Sequence, residues 1–232
     1  MFFFARATAP IQRAPSRMTA APSPASEPTP EVQQKALELV AQHVEGVVNE
    51  RLDSLENDVR RCFIDIPGGP APAFFPAVMY TMSTLDFLSS CYAGWNSTHQ
   101  NEKRQRGRDP TKRMVDFLIR FTRYERRLCL LAVDIWRHKL MHTGQPRMVV
   151  ARWQKVLIGW RIDAGSDAGL KTIKDGDGNI RTVEINPIRF ARDLRDACLG
   201  PTGYLSELRA STDLMMKYVE FESEVNNYTL SE

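Results

Sequence analysis

One run of regularly spaced apolar residues constrains the fold of this 232-residue chain more than any other feature. Over residues 30–63 apolar side chains recur every three or four positions for about nine turns, which is the period of an α-helix. Thr29 and Pro30 precede the run and are typical of a helix start. The apolar positions are Ala36, Leu37, Leu39, Val40, Val44, Val47, Val48, Leu52, Leu55, Val59 and Phe63. A helix with such a long apolar face has to bury it, so we expect a mainly helical bundle.

Five further segments are predicted to be helices. The second helix covers about Phe74–Tyr92, and the third begins at Pro110 after the N-capping residue Asp109. The fourth covers residues 123–142 and is stopped by Gly144 and the proline that follows. The last two are predicted over Pro187–Cys198 and about Tyr204–Glu224.

The segment from about residue 148 to residue 186 has a different character. Met148–Ile162 and Leu170–Ile185 contain β-branched residues in alternation, which is typical of strands. Asp177-Gly178-Asn179 in the second stretch predicts a hairpin turn. The fold class is therefore predicted as mainly α, a helical bundle with a small antiparallel β-hairpin or sheet inserted after the fourth helix. We expect residues 30–232 to form one domain and residues 1–29, rich in Pro, Ala and Ser, to be a disordered tail.

Composition bounds the class of protein further. Hydrophobic residues make up 43% and charged residues 25% of the chain, as in globular proteins, so a core of ordinary size is expected. The most apolar stretch, residues 71–95, contains Asp86 and several Ser and Thr, which favours a buried helix over a membrane span. The four cysteines show no CxxC spacing, which favours a reducing compartment. We expect a soluble, cytoplasmic protein with no membrane partner.

Positive charge is concentrated between Lys103 and Arg127, although the net charge of the whole chain is only +3. This segment contains ten Lys or Arg residues and three Asp or Glu residues. Such a basic region attracts phosphate groups, and RNA is the predicted ligand. The alternative is a solvated loop and helix face that binds nothing. The predicted RNA-binding residues are Arg104, Arg106, Arg108, Lys112 and Arg113.

The clearest candidate for chemistry is the pair Arg137 and His142 at the end of the fourth helix. Arginine is permanently charged and its donor fork fits phosphate oxygens. Histidine titrates near neutral pH and can transfer a proton. Together they suit cleavage of RNA by its own 2′-hydroxyl, in which a cation stabilises the charge on the pentacoordinate phosphorus. Five residues on an α-helix turn by about 140°, however, so the two side chains share a face only if the helix end unwinds.

Two other interpretations of this helix end remain open. Asp134, His138 and His142 are spaced i, i+4, i+8 and share a helix face, and such ligands suit zinc, although the sequence shows no fourth ligand. Alternatively, Arg137, His138 and Lys139 are a positive helix C-terminus that the helix dipole favours. The sequence alone does not decide between these two and the phosphate-handling pair.

The Arg137-His138-x3-His142 pattern resembles the signature of the HEPN superfamily, which is Arg, four to six residues, then His, often with a polar residue directly after the Arg. The helical architecture of residues 30–222 is also similar to that family. The resemblance implies a homodimer in which the two motif helices meet and pool two Arg and two His side chains in one groove. It implies metal-independent endoribonuclease activity in which Arg137, His142 and His138 are catalytic, so no metal or cofactor is predicted.

The leading hypothesis is thus a HEPN-like endoribonuclease that cleaves RNA through its 2′-hydroxyl. Many members of the family are toxins or defence proteins, so the resemblance implies a role in a toxin–antitoxin or phage-defence system and a partner such as an antitoxin. A non-catalytic helical module that binds RNA or protein is the alternative from another class, and a metal-dependent hydrolase ranks third. The hairpin inserted after the motif departs from the family pattern and leaves the RNA substrate unspecified.

Overall fold

The structure is a computed structural model that describes residues 29–64, 73–94, 109–140, 145–151, 153 and 155–226, except for the side chains of residues 138, 139 and 224–226. Its helices are α1 (Pro30–Arg61), α2 (Phe74–Ala93), α3 (Pro110–Phe121), α4 (Arg126–Ala132), a π-helix (Val133–Leu140), α5 (Pro187–Leu199), α6 (Tyr204–Arg209) and α7 (Thr212–Asn226). Its strands are β1 (Val149–Ala151), β2 (Val156–Ile162), β3 (Leu170–Lys174) and β4 (Ile180–Ile185). The predicted class, mainly helical with a small sheet, is confirmed at this level.

Helix α1 follows the periodicity that predicted it. Val44, Val48, Leu52, Leu55 and Val59 are completely buried and form a single stripe along the helix. The stripe packs against α2, α5, α6 and α7. The first turns of α1 leave apolar side chains in solvent, among them Leu39, which is exposed. The helix is therefore held mainly through its middle and C-terminal turns.

Helix α2 lies at the centre of the bundle, in contact with α1, α3, α5, α7 and the π-helix. Most of its side chains are apolar, and two of its buried hydroxyl groups bond within the helix: Thr81 donates to the Ala77 carbonyl at 2.8 Å and Ser90 to the Asp86 carbonyl at 2.8 Å. Such internal bonds satisfy a hydroxyl without water. In the ranges that the structure describes, no helix has the length and apolar character needed to span a bilayer.

Two predicted helices are composite. Residues 123–125 are not helical, and the helix that follows changes from α to π winding at Val133. The last predicted helix is interrupted at Ala210 and Ser211, where the Ser211 hydroxyl accepts a hydrogen bond from the Leu214 N–H at 3.3 Å and caps α7. The prediction of a single helix was wrong because a polar capping residue within an apolar pattern resembles an ordinary exposed helical position.

The four strands form one sheet in the order β1-β2-β4-β3. β1 pairs with β2 and β3 with β4 in antiparallel fashion, but β2 and β4 are parallel. The prediction of a purely antiparallel sheet was therefore wrong: β3 lies at the far edge, and the chain returns through the β3–β4 hairpin to run beside β2. The predicted turn is present, with Gly178 at a φ of 80° and its N–H donating to the Asp175 carbonyl at 3.0 Å.

One face of the sheet packs on the helices. Ile158, Val183 and Ile185 are completely buried, and β3 and β4 contact α4. Trp160 on β2 connects two helices, since its ring centroid lies 5.6 Å from that of Trp136 in the π-helix and 5.9 Å from that of Phe75 in α2. The sheet thus contacts both the π-helix and α2 through Trp160.

Candidate active site

Arg137 lies in the π-helix, where backbone N–H groups bond to carbonyls five residues back instead of four. The described part of this winding is Val133–Leu140, so it does not include His142. His142 and the side chain of His138, both predicted to be catalytic, lie outside the described residues.

Two arginines converge on one carboxylate beside this segment. Arg137 Nη2 lies 3.2 Å from Asp86 Oδ2, and Arg113 Nη2 lies 3.0 Å from Asp86 Oδ1. The residues come from the π-helix, α2 and α3, which pack on one another. Each carboxylate oxygen therefore accepts from one guanidinium. With two cations and one anion, these three side chains, here called the Asp86 cluster, carry a net charge of +1.

Exposure within the Asp86 cluster is graded. The side chain of Arg113 is 5% exposed, that of Arg137 21% and that of Asp86 29%. A buried guanidinium requires an opposite charge, and Asp86 supplies it. Arg137 and Asp86 both reach solvent. An anion from solution can therefore approach Arg137, whereas Arg113 is shielded behind it.

The neighbours of Arg137 in the chain fix its backbone. Ile135, Trp136 and Leu140 are all completely buried, and Trp136 packs against Trp160 of the sheet. A side chain whose backbone is held in this way, and whose head is oriented by a carboxylate, is preorganised for a ligand. Among the described side chains of this helix end, Arg137 is therefore an oriented, partly exposed cation.

The predicted RNA-binding residues differ in where they lie in the structure. Lys112 is partly exposed in the first turn of α3, where its N–H is capped by the Asp109 carboxylate. Arg113 is buried and paired with Asp86, which does not favour contact with a phosphate in solution, and its RNA-binding role stays a prediction. The other three predicted residues lie outside the described part of the chain: Arg104, Arg106 and Arg108.

The metal-site alternative concerns Asp134, His138 and His142. Asp134 is partly buried in the first turn of the π-helix. Among the residues that the structure describes, no three His, Cys, Asp or Glu side chains group together as metal ligands. The two histidine side chains of this alternative are not among those residues, so the alternative stays a prediction.

Asp86 is the site residue that sequence reasoning missed. It is the only charged residue in α2, a helix of otherwise apolar and neutral side chains. A lone carboxylate in an apolar helix needs a cation beside it, and that need was a usable signal. The sequence did not indicate which arginines would supply the charge, because they lie 27 and 51 residues away.

A second polar site lies in a cleft of about 450 Å³ between the α3–α4 connection, the β2–β3 connection and α5. Tyr124 donates a hydrogen bond to the Asp193 carboxylate and accepts one from the Leu170 N–H at 3.1 Å. Burial, reinforced by the bond to Asp193, raises the pKa of Tyr124, so its phenol remains a donor at neutral pH. Gly169 is packed so closely that a Cβ there would lie 2.2 Å from Asp193 Oδ2. These contacts join the sheet to the helices, and we assign them a structural role.

No family model, no curated protein and no solved structure matches this chain. The function of the site therefore has to be argued from its own residues.

Proposed function

We propose that this protein is a HEPN-like, metal-independent endoribonuclease that acts as a homodimer. One observation carries the proposal: Arg137 is a partly exposed guanidinium held by Asp86 in a π-helix. Segments of π-helix frequently coincide with functional sites. The resemblance to the HEPN motif adds the reaction class.

The chemistry follows from the residue types. One histidine accepts the proton of the RNA 2′-hydroxyl, and the O2′ atom then forms a bond to the adjacent phosphorus. The bond from phosphorus to O5′ breaks, and a second histidine donates a proton to the leaving oxygen. Arg137 stabilises the charge on the phosphorane. The products are a 2′,3′-cyclic phosphate and a 5′-hydroxyl, with no net change in protons on the enzyme once the histidines exchange them with water.

A homodimer supplies the two histidines. Two motif helices that meet at a two-fold axis bring two copies of Arg137 and two of His142 to one groove, so one His142 serves as base and the other as acid. His138, directly after the arginine, is assigned to the same groove. The dimer is thus part of the proposed active site and not an accessory to it.

The direct test is RNA cleavage in excess EDTA. The wild type is expected to cut single-stranded RNA, to leave 2′,3′-cyclic phosphate ends and to spare DNA, which lacks the nucleophile. Arg137→Ala and His142→Ala should each reduce the rate about a hundredfold or more. Arg195→Ala is the matched control, because it removes a partly exposed arginine that pairs with Asp53 in another part of the bundle. Loss of activity in EDTA, together with an equal effect of Asp134→Ala, would favour the metal-dependent alternative.

A mixing experiment tests the shared groove. The wild type is combined with an inactive chain that carries both Arg137→Ala and His142→Ala, under conditions in which the chains exchange. A groove that needs His142 from both chains loses more activity than the share of variant chains, because a mixed dimer contains only one His142. Activity that falls only in proportion to the share of variant chains, with exchange verified by labelled chains, would show that each site is built within one chain.

The binding-module alternative also has an observation in its favour. The outward face of the β1–β2 hairpin exposes Met148, Val150 and Leu157, and Val150 and Leu157 are direct cross-strand neighbours. Residues 145–162 contain four cations and no acid, so the face suits a partner protein with an apolar surface bordered by acids. This alternative replaces the nuclease if the wild type leaves RNA intact under all conditions tested.

A further inference from the structure

We infer that Asp86 is a positioning residue that occupies the phosphate position at Arg137 until RNA binds, and that the substrate phosphate competes with it for the guanidinium. Binding competition follows from the Asp86 cluster alone. The effect on cleavage rests on the proposed function. The ligand that competes for Arg137 is then a phosphate of the RNA backbone.

The geometry of the Asp86 cluster supports such an exchange. A carboxylate and a phosphate make the same kind of charge-assisted hydrogen bonds to an arginine fork. Asp86 uses Oδ1 for the buried Arg113 and Oδ2 for the partly exposed Arg137. The bond to Arg113 is shielded from solvent and anchors the carboxylate. The side chain of Arg137 is 21% exposed against 5% for Arg113, so its bond is the one that an incoming phosphate can replace.

The same geometry predicts opposite effects of Asp86 on the orientation of Arg137 and on the binding of the phosphate. The negative charge of Asp86 holds the Arg137 guanidinium in one orientation, which favours a productive alignment with the phosphate. That charge also repels the phosphate, which weakens ground-state binding. An uncharged side chain of the same shape at position 86 should therefore tighten binding of RNA and slow its cleavage.

A purely structural ion pair predicts a different result. Replacing a buried ion pair by apolar residues of similar volume is often neutral or stabilising in proteins. If Asp86 served only to compensate Arg113, its replacement would lower the free energy of unfolding and leave the affinity for RNA unchanged. Affinity and its dependence on salt are therefore the measurements that distinguish the two roles.

The experiment compares the wild type with Asp86→Asn, using a single-stranded RNA whose 2′-O-methyl groups prevent cleavage for binding and the unmodified RNA for rate. Asp86→Asn is expected to bind severalfold tighter, with a slope of log K against log salt that is steeper by about 0.7, the value for one additional phosphate contact on a single strand. Its kcat should fall about tenfold. Asp213→Asn is the matched control, because it removes the same charge from an exposed pair with Lys217 and should change neither value.

A second variant tests the same inference if Asp86→Asn alone fails to fold. Asp86→Asn combined with Arg113→Met removes both members of the buried pair, so no buried charge is left uncompensated. It should show the same tighter binding and slower cleavage. Unchanged affinity and slope in both variants would overturn the inference, even if the wild type cleaves RNA. Tighter binding in a protein that never cleaves would instead retain Asp86 as the competitor and reject the nuclease.

Discussion

Two carboxylates in this protein each bridge two cations, and they do so in opposite ways. In the Asp86 cluster one cation, Arg113, is buried and the carboxylate reaches solvent. In the sheet the side chain of Glu184 is completely buried, and its partners Arg161 and Lys171 are 53% and 38% exposed. The bundle thus buries a cation beneath an accessible carboxylate, and the sheet buries a carboxylate beneath accessible cations.

The sheet cluster is built by strand register. Arg161 of β2 and Lys171 of β3 are the residues directly paired with Glu184 of β4, on its parallel and antiparallel sides. Lys171 Nζ lies 2.8 Å from Glu184 Oε1, and Arg161 Nε lies 2.6 Å from Oε2. One carboxylate therefore connects three neighbouring strands through cross-strand pairs.

The difference shows which cluster can exchange a partner. A phosphate from solution that reached Arg161 would not displace Glu184, because the buried carboxylate has no solvent to move into. At the Asp86 cluster the accessible pair is the one with Arg137, and the carboxylate keeps its second bond to Arg113 when that pair opens. We therefore assign a structural role to the sheet cluster and propose a ligand-binding role for the Asp86 cluster.

The largest effect is expected from truncating the two carboxylates. Asp86→Ala leaves Arg113 buried without its carboxylate and should lower the free energy of unfolding by about 3 kcal/mol, the lower end of the range for broken buried pairs. Glu184→Ala leaves two cations that water can solvate, so its cost should be about 1–2 kcal/mol. Urea unfolding of both variants measures the difference. A larger loss for Glu184→Ala would contradict this comparison. The burial of the carboxylate, and not the burial of its cation, would then set the loss of unfolding free energy.

A smaller effect is expected from pH. Burial by itself raises the pKa of Glu184, but hydrogen bonds from Lys171, Ser166 and Arg161, with the charge of Lys171, outweigh it and leave the pKa below the ordinary value of 4.5. A lowered folded pKa means that Glu184 contributes stability above about pH 4.5 and loses it as the pH falls through the folded pKa. The difference in unfolding free energy between wild type and Glu184→Gln should therefore be greatest near neutral pH and shrink in acid. A difference that grows below pH 4.5 would contradict the assigned sign.

The smallest effect is expected from removing an exposed cation of the sheet cluster. Arg161→Ala should cost less than about 1 kcal/mol, because the side chain is half exposed and its pairs are screened by water. Thermal unfolding at low and high salt measures this cost and its screening. If the loss matched that of Asp86→Ala, Arg161 would contribute more to stability than a half-exposed cation screened by water should.

Much of the local structure could be predicted from the chain alone. The stripe of α1, the Asp109 cap of α3 and the turn at Asp175–Asn179 depend on residues within a few positions of one another. Helical period, side-chain capping and turn preference all act over such short distances. The candidate Arg137 was found for the same reason, since the motif that indicated it spans six residues.

Only the tertiary structure decided what surrounds that motif. The winding of the π-helix, the burial of Arg113, the choice of Asp86 as partner and the parallel pairing of β2 with β4 all depend on packing between distant segments. An ion pair between residues 51 positions apart has no local signature, because many arginines have the right charge and only the assembled helices select one. The sequence by itself determined the helices and a candidate cation, and the packing of three helices determined how that cation is held and how much of it meets solvent.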